Sequence, residues 1–228
     1  MGILKKSVLG KPTGAVGDIL FRLKDGRTII GTRPVSYMPG TDQKSVNRRH
    51  RFGLTATYSK AVNSIASLKS VWDNATPNNI SPYNGIFKAS YPYITPSDVS
   101  DSAKVVPMLF GFDVATTNVT INATSVAVTI DPIGTNANID TLVEKYIQLA
   151  VVIKCKDGSV AELPDLMFIP LKSTQLTLSL TTALSFSITL ADQDSELYSL
   201  YTSHKSYFAF VTLTEDGKAV HYSKNFAN

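Results

Sequence analysis

Residues 175–190 read QLTLSLTTALSFSITL. Apolar and polar residues alternate through Thr177–Leu180 and again through Ser185–Leu190. A period of two places one face of a strand on a core and the other in water. The same texture extends in both directions from Lys104 to the end of the chain. It predicts strands over Val105–Val114, Asn118–Asn122, Ser125–Ile130, Lys145–Cys155, Ser159–Leu163 with Leu166–Ile169, Gln175–Leu180, Ser185–Leu190, Tyr207–Thr214 and Ala219–Ser223. Lys156-Asp157-Gly158-Ser159 and Glu215-Asp216-Gly217-Lys218 read as hairpin turns, since Asp-Gly accepts the positive φ angles of a type I′ turn. About seven to nine short strands with regular turns predict an antiparallel immunoglobulin-like β-sandwich over residues 104–228. No Cys…Trp…Cys pattern accompanies it, so a true immunoglobulin domain is not expected. Ala191–Ser199 adds a short helical crossing.

Upstream the texture changes. Residues 73–104 carry prolines at 77, 82, 92 and 96 among many Asn and Ser, and read as a connector. Tyr83, Ile86, Phe87 and Tyr91 suit one short helix between the prolines. Tyr83, Phe87, Tyr91 and Tyr93 read either as a carbohydrate-stacking platform or, more plainly, as rings that pack the connector onto its neighbour. Before the connector, Asp42 can cap a helix in which Val46, Phe52, Tyr58, Val62, Ile65, Leu68 and Trp72 recur at helical spacing. Gly53 inside it predicts a kink or a junction of two shorter helices. The domain organisation expected is therefore 1–40 as extended arm and hairpin, 41–103 as helical segment and connector, and 104–228 as sandwich. The fold class is α+β, mainly β.

The front of the chain, Gly10 to Pro34, reads GKPTGAVGDILFRLKDGRTIIGTRP. Asp18–Leu23 and Thr28–Thr32 predict a hairpin closed by Lys24-Asp25-Gly26-Arg27, and Pro34 ends it because proline lacks the ladder N–H. Gly10-Lys11 is followed by Pro12, and the residues after Gly17 look like a strand. A Walker loop needs Gly-Lys-Ser/Thr opening a helix, so nucleotide binding is not expected. A lone two-stranded hairpin is marginal in water, which predicts that it packs on something else.

All six arginines, Arg22, Arg27, Arg33, Arg48, Arg49 and Arg51, fall between Gly10 and Phe52. Residues 1–72 hold 13 Lys and Arg against 3 Asp, a net +10. Residues 73–228 hold 9 Lys against 15 Asp and Glu, a net −6, which together give the overall +4. A basic front and an acidic back invite head-to-tail association or contact with a polyanion. Arg48, Arg49 and Arg51 have no acidic residue four positions on to pair with, so they read as partner contacts or as a solvated face.

Little in the chain suggests chemistry. His50, His204 and His221 have no Cys or second His at ligand spacing. Asp192, Asp194 and Glu196 lack the glycine of a calcium loop. Cys155 sits in the apolar run VVIKC and reads as a small strand residue. No cofactor, metal or catalytic constellation is expected. No apolar run reaches the ~18 residues of a membrane span. The lysines of MGILKK are not followed by an apolar region, which argues against a secretory signal. No nucleic-acid recognition signature appears, leaving only non-specific contact through basic residues.

The sequence LKKSVLGKPTGAVGDILFRLKDGRTIIGTRP, followed by QKSVNRRHRF and Trp72, resembles an uncharacterised family of Bacteroidota and their phages. The matching positions are Gly14, Gly17, Phe21, Gly26, Arg33, Pro34, Gln43, Arg48 or Arg49, and Phe52. The match spans roughly the first 75 residues, and the remainder is similar in β-rich texture. The resemblance implies a basic arm attached to a β-sandwich, as in virion neck, tail and capsid-associated proteins. It implies a virion or host-cytoplasm location, and partners that are copies of the chain and neighbouring structural proteins in a homo-oligomer. The interface residues expected are Gly14, Gly17, Phe21, Arg22, Arg27, Arg33, Arg48, Arg49 and Arg51. A stand-alone module that binds a glycan or surface ligand through sandwich loops is the alternative, and a stripe of exposed aromatics would mark it.

Overall fold

The run from Glu144 to Gly158 is the longest strand, β7, and both of its faces are covered. This is seen in a computed structural model that describes residues 2–3, 12–24, 26–32, 38–77, 79–107 and 111–228. The described fold is α+β, mainly β, with antiparallel sheets. It divides into two compact units, Met1–Val46 and Asn47–Asn228.

In the larger unit β7 pairs along its length with β11 (Tyr201–Thr214), and on its other side with β8 (Leu166–Lys172) and β9 (Leu176–Thr177). The outer side of β11 takes β12 (Ala219–Tyr222) and β13 (Phe226–Ala227). A second sheet contains β5 (Thr116–Ile121), β6 (Ser125–Ile130) and β10 (Leu184–Thr189), with β6 in the middle. Alternate residues of the long strands feed two cores. Leu149, Val151, Ile153, Phe208 and Phe210 pack with Val126, Val128, Ile130, Phe186 and Ile188 of the second sheet. Ala150, Val152, Tyr207, Ala209 and Val211 pack instead with helices. Those helices are α1 (Gln43–Ser64), α2 (Ala66–Ala75) and α3 (Pro82–Ser90). Tyr58, Val62, Leu68, Trp72 and Ile86 are their buried contribution. The expected boundary at residue 104 therefore falls inside a shared core. The helices are a layer on the long sheet rather than a separate segment.

Several elements match their sequence prediction: β6, β10, the helix between the prolines, and α4 (Asp192–Ser199) before the last strands. Gly217 adopts φ +75° in the expected Asp-Gly turn. Others differ. In Val105–Val114 the described residues make no strand beyond a single bridge from Phe112 to Ser223. The amides of Val105 and Val106 donate to Asn225 Oδ1, and the Val105 carbonyl accepts from the Trp72 indole at 2.7 Å. Side chains thus replace a ladder there. Ser159–Leu163 is a turn, because β7 continues through Asp157 and Gly158 to pair with Tyr201. Asp157 takes φ +60° within the strand, and its carbonyl accepts from the Thr202 hydroxyl. The Asp157-Gly158 pair ends a strand instead of forming a hairpin turn. Gln175–Leu180 contracts to β9, while Tyr207–Thr214 lengthens to start at Tyr201.

Helix α1 runs unbroken through Gly53, where a Cβ would meet open space. The break comes at Ile65, whose backbone is extended (φ −81°, ψ 112°). Phe52 is not on the core side of this helix but 60% exposed.

In the smaller unit the predicted hairpin is β3 (Ile19–Lys24) and β4 (Arg27–Thr32), with Gly26 at φ +74°. It does not stand as a two-stranded ribbon. Gly2–Ile3 (β1) pairs with β4, and Gly14–Val16 (β2) folds back on β3 through a turn in which Gly17 has φ +56°. The expected extended arm is thus partly a four-stranded sheet of order β1-β4-β3-β2. Among the described residues no helix is long and apolar enough to cross a membrane.

Candidate functional site

The sheet of the smaller unit has almost no core. Among its described residues only Thr28 is buried. The register assigns its side chains to two unlike faces, because residues directly opposite in antiparallel strands share a face. Val16, Ile19, Phe21, Leu23 and Ile30 lie on one face with no charge among them. Arg22, Lys24 and Arg27 lie on the other with Leu20 and Ile29. Val16 is 69% exposed, and Ile19 and Leu23 are also exposed. Of the sequence-predicted interface residues, Gly14, Phe21, Arg22 and Arg27 are in this sheet and Gly17 is in the β2–β3 turn, and the pairing brings Gly14 opposite Phe21. Arg33 lies outside the described residues.

Arg48, Arg49 and Arg51 belong to α1. None of the twelve residues Gln43–Leu54 that open this helix is buried. Arg48 and Arg49 are exposed, whereas Arg51 is half-buried. The Arg51 guanidinium donates to the Tyr91 carbonyl at 2.5 Å and lies 4.1 Å over the Tyr91 ring. Arg51 is therefore held against its own chain rather than standing on a fully solvated face. The Phe52 ring is tilted against that of Phe87 with their centroids 4.9 Å apart, and Phe87 in turn meets Tyr83 and Tyr91. The three α3-side rings are half-buried against one another. They pack the connector, which is the plainer of their two sequence readings.

Beside α1 is an open cleft of about 750 Å³. Helix α1 lends His50, Leu54 and Thr57, and the β7–β8 connection lends Val160, Leu163 and Asp165. Asp157 closes the rim, and Glu162 stands exposed in the same connection. One wall is fixed by charge. Asp98 accepts from Lys154 at 2.8 Å and from Lys156 at 3.0 Å, and Lys154 also donates to the Val99 carbonyl. Partial burial alone would raise the Asp98 carboxyl. The hydrogen bonds from the two ammonium groups outweigh it and hold its pKa at about 2. This triad is not legible in the sequence, because the two lysines lie 56 and 58 positions from Asp98.

A second polar cluster was also invisible in sequence. Glu144 is buried, and its carboxylate accepts from the Thr212 hydroxyl, the Asp140 amide and His221 Nδ1. With Nδ1 donating, the His221 ring presents Nε2 from a side chain 39% exposed. This arrangement orients an imidazole, but among the described residues no nucleophilic side chain is bonded to that ring. Cys155 is fully buried, and burial pushes its thiol up to about 12, which leaves it inert at neutral pH. Among the described residues no three His, Cys, Asp or Glu side chains converge as metal ligands. No protein-family model matches the chain, and no curated protein is similar to it.

Proposed function

We propose that the chain is a non-enzymatic structural subunit of an oligomeric assembly, docking through its basic N-terminal unit. One observation carries this reading: the Met1–Val46 unit exposes an uncharged apolar sheet face and has a single buried residue among those described. Three or more strands with a covered hydrophobic face are needed for independent stability, and this sheet has the strands without the cover. An exposed apolar patch of that kind marks a surface made to be held by something. The most concrete version is a phage virion protein of neck, tail or capsid, located in the virion or the host cytoplasm, which the resemblance of the first 75 residues supports. Its partners are then copies of itself and neighbouring structural proteins, with nucleic acid touched only as a polyanion.

We read the two sheets of the larger unit, which face each other across a shared core, as an immunoglobulin-like sandwich with a helical layer added. Amide exchange that left β5, β6 and β10 unprotected while β7 and β11 stayed protected would count against that sandwich. Light scattering of the full chain and of a variant lacking residues 1–40 tests the assembly reading. The full chain should self-associate and the truncation should be a folded monomer. A full-length monomer at high concentration sinks the reading.

A further inference from the structure

We propose that the tip of the β3–β4 hairpin of one copy seats in the cleft beside α1 of a second copy. This rests on the reading of the chain as a self-associating subunit and names the surface that reading leaves open. The hairpin ends in Leu23 and Lys24 on one strand and Arg27 on the other, and Lys24 lies directly opposite Arg27. Arg22 shares their face, so three cations stand at one end of the sheet against one carboxylate in the turn sequence, Asp25, which lies outside the described residues, while the exposed Leu23 is on the other face.

The cleft offers the complement. Leu54, Val160, Leu163 and Leu166 give it apolar walls, the exposed carboxylates of Asp157 at the end of β7 and Asp165 in the β7–β8 connection line it, and the exposed Glu162 belongs to that same connection without lining the cleft. Among the described residues none of these three carboxylates forms an ion pair. Lys156, the lysine among the cleft's lining residues, is bonded to Asp98. Its 750 Å³ falls within the range of about 300–1,000 Å³ that encloses a compact ligand, so it has room for a turn but not for a whole sheet.

Charge selects the occupant. A basic tip meets an acidic rim, and the two units differ in the same sense: residues 1–46 hold 8 Lys and Arg against 3 Asp, a net +5, and residues 47–228 hold 14 against 15 Asp and Glu, a net −1. A second copy supplies both halves of the contact at equal concentration. The two surfaces are different, so the contact is heterologous and propagates head to tail into a ring or a filament.

The test uses two charge reversals in the full chain, K24E/R27E on the hairpin and E162K/D165K in the β7–β8 connection, all at exposed positions. Sedimentation velocity over a concentration series reads the association midpoint. Each variant alone should associate at least about ten-fold more weakly than the parent. An equimolar mixture should regain association, because the acidic hairpin of one then matches the basic rim of the other in alternation. Recovery in the mixture also shows that both variants are folded. Parent-like association of either variant, or a mixture that stays dissociated, overturns the hairpin–cleft contact. Where association also vanishes on deletion of residues 1–40, that outcome leaves the assembly reading standing. A parent chain that is monomeric throughout overturns both.

Discussion

The two units of this chain spend their apolar residues in opposite ways. In Asn47–Asn228 the long strands β7 and β11 are buried on both faces, between a helical layer and a second sheet. In Met1–Val46 the register sorts Val16, Ile19, Phe21, Leu23 and Ile30 onto one uncharged face, with only Leu20 and Ile29 among the larger apolar residues left beside the cations, and that face stays largely exposed. The small sheet thus also carries an apolar face. What differs is whether the chain supplies a second layer. A pattern that specifies a face does not by itself bury it, and the energy of burial, about 25 cal/mol per Å², comes only when something covers it. The larger unit stores its stability internally, whereas the smaller holds its apolar surface in reserve.

The comparison can be broken most forcefully in the core of the larger unit. Trp72 is buried between α2 and the long sheet, and its indole donates to Val105 in a segment that makes no ladder of its own. Trp72→Ala should cost about 3–5 kcal/mol, the usual range for removing a buried large aromatic. Chemical denaturation followed by circular dichroism reads this directly. A loss under about 1 kcal/mol would mean that the helical layer contributes little and that the two units differ less than their burial indicates.

A smaller effect comes from the charged wall of the cleft. The Lys154 side chain is only 8% exposed and relies on Asp98, itself 39% exposed. Asp98→Ala should cost roughly 1–3 kcal/mol, less than breaking a fully buried pair because the carboxylate is partly solvated. The pH dependence has a definite sign. The folded Asp98 titrates at about 2, below its ordinary 3.8, so the folded state favours the charged form. The stabilisation is complete above pH ~4 and is lost as pH falls through ~2. Unfolding free energies between pH 5 and 2 should decline more steeply for the parent than for Asp98→Asn. Equal slopes would remove the carboxylate from the ledger of the larger unit.

How far these features can be read from sequence depends on their range. The alternation in Ser185–Leu190 and the Asp-Gly of Glu215–Lys218 act locally, and β10 and the Gly217 turn follow from them. The helical layer over the long sheet was legible in principle. Leu149-Ala-Val-Val-Ile153 has no polar interruption, which signals cover on both faces rather than the one-sided burial of an exposed sandwich face. Val105–Val114 misled because an apolar run there is satisfied by Asn225, more than a hundred positions away. Gly53 misled because a propensity cost of about 1 kcal/mol is small against the packing of the helix beyond it, at Thr55, Tyr58 and Val62. For the candidate interface, the basic hairpin residues were legible as a charge cluster. Their separation onto one face, opposite the apolar one, needed the register. The cleft needed the tertiary fold, since its rim and its helix are about a hundred residues apart.

The smallest effect is the sharpest test of the contrast. Phe21 is half-buried on the apolar face of the small sheet, opposite Ile30 on β4 and Gly14 on β2. It belongs to neither core of the larger unit. Phe21→Ala should therefore shift the unfolding free energy of the larger unit by less than about 0.5 kcal/mol, as for a surface position, despite deleting a whole ring. The same change should weaken self-association in the concentration series, because the ring's burial is realised only when the face is covered. A loss of more than about 1 kcal/mol in the main transition would place Phe21 in the cooperative core. The two units would then unfold as one, and the reserve of apolar surface in the N-terminal sheet would already be committed within a single copy.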